Sequence, residues 1–141
     1  MKFHLDSCRI ERRPLADGKP VMVFMPFPVS VNSMFGQAPG HQRFPSAAYK
    51  KWQQAAEWDL LTMRPHRVPG PVHLLFEFED RDKRQRDLTN YLKGPEDMLV
   101  KHNLIDGDHS AVVRHVEAKW APGVIGVRIT ITPWRNEGMA A

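Results

Sequence analysis

The sequence predicts an α/β (α+β) fold: a single mixed β-sheet with two main helices packed on it. Three observations lead there. Apolar and polar residues alternate over 71–79 and again over 124–132, the period of a strand with one buried face. Over 46–63 the apolar residues recur instead at i, i+3 and i+4, the stripe of an amphipathic helix. The patterns run strand, helix, strand, helix, strand, strand, and one sheet covered by helices buries every apolar face in that order. The 141 residues are the usual size of one domain, so 1–141 is read as a single unit. Within it, 1–20 is an N-terminal extension or hairpin and 134–141 a loose tail.

In chain order, Lys2 to Leu5 has the character of a short strand, and Asp17-Gly18 is a turn signal. Residues 21–25 are a compact apolar strand that Pro26 and Pro28 stop. Gly36, Pro39 and Gly40 make 34–45 a loop. Ser46 is the expected N-cap of the first helix. Tyr49, Trp52, Ala56, Leu60 and Met63 form its buried stripe, with Trp52 assigned to the core rather than to base stacking. Pro65 and Pro69-Gly70 end that segment. In the strand 71–79, Val72, Leu74, Phe76 and Phe78 form the buried face. Residues 80–86 contain no apolar side chain and belong in solvent. Residues 88–102 read as the second helix, weakened near its start by Pro95, which cannot donate to the carbonyl of Tyr91. Asn103 is its expected stop. Residues 110–120 and 124–132 then read as two strands joined in a hairpin at Pro122-Gly123, with Ile125, Val127, Ile129 and Ile131 buried.

A formal charge of +4 is compatible with a polyanionic partner but does not require one. The single cysteine, Cys8, has no internal partner, which fits a reducing, cytoplasmic setting. No apolar run is long enough to span a membrane, and the N-terminus lacks the pattern of a signal peptide.

The chemistry is concentrated in 81–110. Arg81, Lys83, Arg84 and Arg86 form a basic arm suited to contacting a phosphate backbone. Asn90, Lys93 and Asp97 lie at i, i+3 and i+7 and share one helix face. Asp87 stands before that helix, and Asp106 and Asp108 follow it in an Asp-Gly-Asp turn. Taken singly, Asp87 is an N-cap and the other two are turn formers. Taken together, carboxylates at both ends of a short helix, beside a lysine, suit a hard cation held against a phosphate. A transition-metal set of His102, Asp106, Asp108, His109 and His115 matches no familiar zinc spacing.

The words R-Q-R-D-L-T-N-Y-L-K (84–93) and E-D-M-L (96–99), followed by L-I-D-G-D-H-S (104–110), resemble the RusA-type Holliday junction resolvases. The likeness runs over about 21–132 in the order of elements, including Met25-Pro26-Phe27-Pro28 and the turn at 30–32, and is specific over 84–112. It implies a RusA-like fold. It also implies a homodimeric endodeoxyribonuclease of bacterial or phage origin, dependent on Mg2+ with Mn2+ as a substitute, that resolves Holliday junctions or branched DNA in recombination and repair. By the same resemblance Asp87, Asp108 and Lys93 are catalytic, Asp87 and Asp108 hold the metal, and Asn90 and Asp97 support them. Two positions depart from the family pattern. Thr89 stands where the family has a second aspartate, and Gly107-Asp108 stands where it has an Asp-Asp pair. A hydroxyl is a weaker ligand for a hard cation than a carboxylate. Either Asp106, with Thr89, completes the metal set, or the chain is a catalytically weakened protein that binds branched DNA.

Overall fold

The structure, a computed structural model, describes residues 18–36, 40 and 43–135. The expected strand at Lys2 to Leu5 therefore lies outside the described residues. So does the tail beyond 135. Four strands form the main sheet in the order β1-β6-β4-β5: β1 (Val21–Met25), β4 (Val72–Glu79), β5 (Val113–Ala121) and β6 (Val127–Pro133). Two helices, α1 (Ala47–Met63) and α2 (Lys93–Lys101), contribute to its buried core. Inside the segment expected to be an irregular loop, β2 (Phe35–Gly36) and β3 (Phe44–Pro45) pair as a small separate ribbon.

Helix α1 follows its sequence pattern. The Ser46 hydroxyl accepts the Tyr49 N–H at 3.1 Å and donates to the Ser33 carbonyl at 2.7 Å, so one side chain caps the helix and anchors it. Tyr49, Trp52, Ala56 and Leu60 are buried, while Met63, at the end of the stripe, is exposed. The Trp52 ring lies in the core, and its indole N–H donates to the Pro26 carbonyl at 2.9 Å. Arg64 adopts a left-handed conformation (φ 50°) and closes the helix before Pro65.

The second helical segment is divided. A 3-10 turn, Leu88–Tyr91, comes first, and α2 begins only at Lys93. Pro95 explains the division. With α2 starting at Lys93, Pro95 falls in the first turn, where backbone N–H groups lack helical partners in any case. The Glu96 N–H makes the bond to Leu92 O at 3.1 Å. Close approach also requires Gly94: a Cβ there would meet the Trp52 ring of α1 at 3.3 Å. At the far end Asn103 stops the helix as expected. It has φ 58°, its N–H bonds Val100 O at 3.0 Å, and the Leu104 N–H reaches back to Leu99 O at 2.9 Å. Those two bonds are the Schellman pattern.

The hairpin expected between the last two strands does not form. Strand β5 pairs in parallel with β4, whereas β6 runs antiparallel to β4 on its other side and also pairs with β1. The connection therefore passes over the end of β4, held by Glu79 N–H to Gly126 O (2.8 Å) and by Gly126 N–H to the Glu79 carboxylate (3.2 Å). Ile125 lies on this crossing and is 84% exposed, not part of a buried face. Val127, Ile129 and Ile131 are fully buried as expected. Val72, Leu74, Phe76 and Phe78 face the same core as Met98, Leu99 and Trp52. Trp134 is tied to Pro71 by a 2.8 Å backbone bond and is not loose. The opposite face of the sheet carries Met22 and Phe24 (both exposed), His73, Glu77, Glu117 and Arg128, a polar surface with no helix on it among the described residues.

Candidate active site

The chain leaves β4 at Glu79 and enters the basic arm, 80–86, which is exposed nearly throughout. Its root is fixed by charge and by aromatic rings. Arg81 lies 2.9 Å from Glu79, and its guanidinium sits 4.8 Å from the centre of the Phe27 ring. Arg86 grips Asp82 with two bonds, at 2.7 and 3.2 Å, and lies 5.9 Å from the same ring. This pairing holds the Asp82 carboxyl down to about 2. Phe27 in turn packs on Tyr91 (5.2 Å) and Trp120 (6.5 Å), so the arm and the 3-10 turn are seated on one aromatic cluster. Lys83 and Arg84 are exposed, and neither side chain forms an ion pair among the described residues. A cleft of about 240 Å³ is lined by the arm and Trp120.

Asp87 occupies the cap position of the 3-10 turn, but its side chain caps nothing; only its carbonyl accepts the Asn90 N–H, at 3.0 Å. The ordinary reason for an aspartate at a helix start is therefore absent. Asp87 and Thr89 are exposed and Asn90 is half-buried. Five residues separate Asp87 from Lys93, and no ion pair joins the Asp87 carboxylate to Lys93 among the described residues. At Lys93 the charges converge. Its Nζ lies 2.9 Å from Asp97 Oδ1 and 3.7 Å from Asp108 Oδ2. One ammonium thus links the first turn of α2 to the loop that follows the helix. Hydrogen bonding to Asp97 raises the Lys93 pKa, so the group stays cationic.

Glu96, given no role from sequence, belongs to the same cluster. Burial raises its pKa, with the charges of Asp108 and Asp97 adding to the effect and Lys93 opposing it. The readable signal was its place three residues past Lys93, which puts both on one side of the helix. Asp106 is placed differently. One of its oxygens pairs with Arg67 and the other accepts the Gly70 N–H at 2.9 Å, so its carboxylate fastens the 67–70 segment. These contacts hold its carboxyl below the usual range, the Gly70 bond contributing most. No contact joins Asp106 to Lys93 among the described residues.

The carboxylates around Lys93 are of the donor type that a hard divalent cation takes, but they do not bring three ligand atoms within 4.8 Å of one another. Asp97, Asp108 and Glu96 offer only oxygen, and the Lys93 ammonium already stands as a cation between two of them. The five-residue transition-metal set is not assembled: His102 is buried beside Glu57, and His115 lies on β5.

Carboxylates around an ammonium, together with an exposed basic arm, are compatible with a hydrolase acting on a phosphate polymer. The family is shown by the sequence itself: the family model described as Endodeoxyribonuclease RusA matches residues 26–132, and the chain belongs to that family. Its members are endodeoxyribonucleases, phosphodiester hydrolases that resolve Holliday junctions. The matched span contains every candidate site residue from Arg81 to Asp108. No individual curated protein matches the chain. Among the described residues, no helix is long and apolar enough to cross a membrane.

Proposed function

We propose that the protein is a Mg2+-dependent Holliday junction resolvase that nicks branched DNA in pairs as a homodimer, in bacterial or phage recombination and repair. Asp87 and Asp108 are assigned as the metal-binding carboxylates, with Glu96 near Asp108, and Mn2+ as a substitute ion. Such an ion, when bound, activates a water and neutralises charge on the phosphate. Lys93 supplies a permanent positive charge to the phosphate oxygens or the leaving oxygen. Asp97 holds that ammonium in place, and Asn90 steadies the turn before it. Lys83 and Arg84 contact the DNA backbone, while Arg81 and Arg86 shape the root of the arm. A two-fold dimer matches the symmetry of a four-way junction and accounts for paired cuts. The observation that carries the proposal is the Lys93 ammonium shared by Asp97 and Asp108.

The test is a synthetic four-way junction incubated with purified protein and Mg2+. Symmetric nicks are expected with the native chain, and none with Asp108→Asn, which should still shift the junction on a gel. Cleavage by Asp108→Asn at the native rate removes Asp108 from the metal set. Thr89 supports a second reading. It presents a hydroxyl where the family pattern has a carboxylate, and it is exposed within the 3-10 turn. Under that reading the native chain binds junctions without cutting them, and Thr89→Asp gains cleavage.

A further inference from the structure

His73 and His115 lie on neighbouring parallel strands, β4 and β5, and are paired directly in register. Their rings are 4.5 Å apart. Glu117, two residues beyond His115, is on the same face of β5, because side chains alternate along a strand. Its two oxygens lie 3.7 Å from His73 Nε2 and 3.7 Å from His115 Nε2. One ligand atom from each of the three residues lies within 4.8 Å of the others. We infer that His73, His115 and Glu117 form a binding site for a divalent transition metal, Zn2+ foremost, on the sheet face opposite the helices.

Three further observations support this. The first is the register shift between Val72 and His73. Val72 pairs with Val113, yet His73 pairs with His115, so Arg114 is bulged out. Without that bulge Arg114 would stand opposite His73, and His115 would point to the other face. The second is His73 Nε2. It is buried and has no hydrogen-bond partner among the described residues, with the Glu117 carboxylate 3.7 Å away, an arrangement that a shared cation would satisfy. The third is the donor set. Two imidazoles and one carboxylate are a known three-ligand complement for zinc, leaving a fourth position open to water. Imidazole favours Zn2+ over Mg2+, so this site and an all-oxygen cluster select different ions. A metal here would clasp β5, an edge strand, to β4.

The experiment is titration of chelator-stripped protein with Zn2+ by calorimetry, and with Co2+ by absorption, which reports tetrahedral coordination. One equivalent is expected to bind the native chain and Asp108→Asn alike, with Mg2+ failing to compete. His115→Ala and Glu117→Gln alter exposed side chains and should fold normally by circular dichroism. Each should weaken Zn2+ by more than the roughly 10–100-fold that loss of an outer-sphere partner costs. No stoichiometric binding by the native chain, or binding that survives both substitutions and is lost in Asp108→Asn, overturns the assignment.

Discussion

Lys93 is held cationic by Asp97, with Asp108 close by, and an ammonium cannot take a proton from water. Its contribution to a phosphodiester hydrolase is therefore charge, not base catalysis. Lys93→Ala is expected to lower the single-turnover rate by roughly 10²–10³-fold, while gel-shift affinity for the junction changes little. A loss confined to affinity would make Lys93 a backbone contact instead. At this scale the sequence was legible where spacing alone makes the contact, as for Lys93 and Asp97 four residues apart on one helix. It was not legible where the partner is distant. The turn around Asp106 shows a carboxylate but not the guanidinium 39 residues away that engages it. His73 and His115 likewise meet only because two strands lie in parallel register.

The elements themselves were largely readable. Alternation marked β4 and β6, the apolar stripe and Ser46 marked α1, and Asn103 marked the stop of α2. Pairing was not readable, because an alternating pattern states which face is buried and says nothing of the neighbouring strand. Pro122-Gly123 looks like a hairpin turn, yet the chain continues across the end of β4. Gly126 makes that crossing possible. It has φ 71°, and a Cβ there would sit 2.2 Å from the Met25 carbonyl oxygen, a backbone atom that cannot step aside. Gly126→Ala is expected to destabilise the fold by about 2 kcal/mol or more, seen as a lower urea midpoint. On the outer face of the same strands, Arg128 clasps Glu77 at 3.0 and 2.8 Å and lowers its pKa from an ordinary 4.5, the hydrogen bond contributing most. A carboxyl lowered in the folded state stabilises above its unfolded value and ceases to do so as pH falls through the folded one. Glu77→Gln should therefore be less stable than the native chain at pH 7, by about 1 kcal/mol, and the gap should close on acidification below 4.5. Thermal melts of both chains across that range measure it; a gap that persists in acid assigns the effect to packing.

Across the whole molecule, the two proposed sites fall on opposite faces of one sheet. The helices and the Lys93 cluster occupy one side, and the histidine pair the other. On the arm, Lys83 and Arg84 form no ion pair among the described residues, so DNA affinity should respond to these two more than to Arg81 or Arg86. Replacing both with alanine is expected to weaken junction binding and to reduce the slope of log affinity against log salt by about 1 per residue. An unchanged slope would mean the arm does not touch phosphate. The same architecture has a temporal consequence. β6, the last strand in the order of elements, lies inside the sheet between β1 and β4. While the polypeptide is still being synthesised, β1 has no neighbour to join, and β4 can pair only with β5. Until Val127 to Pro133 emerges from the ribosome the sheet lacks its centre. The nascent chain therefore has no finished sheet on which to seat the Lys93 cluster and the basic arm.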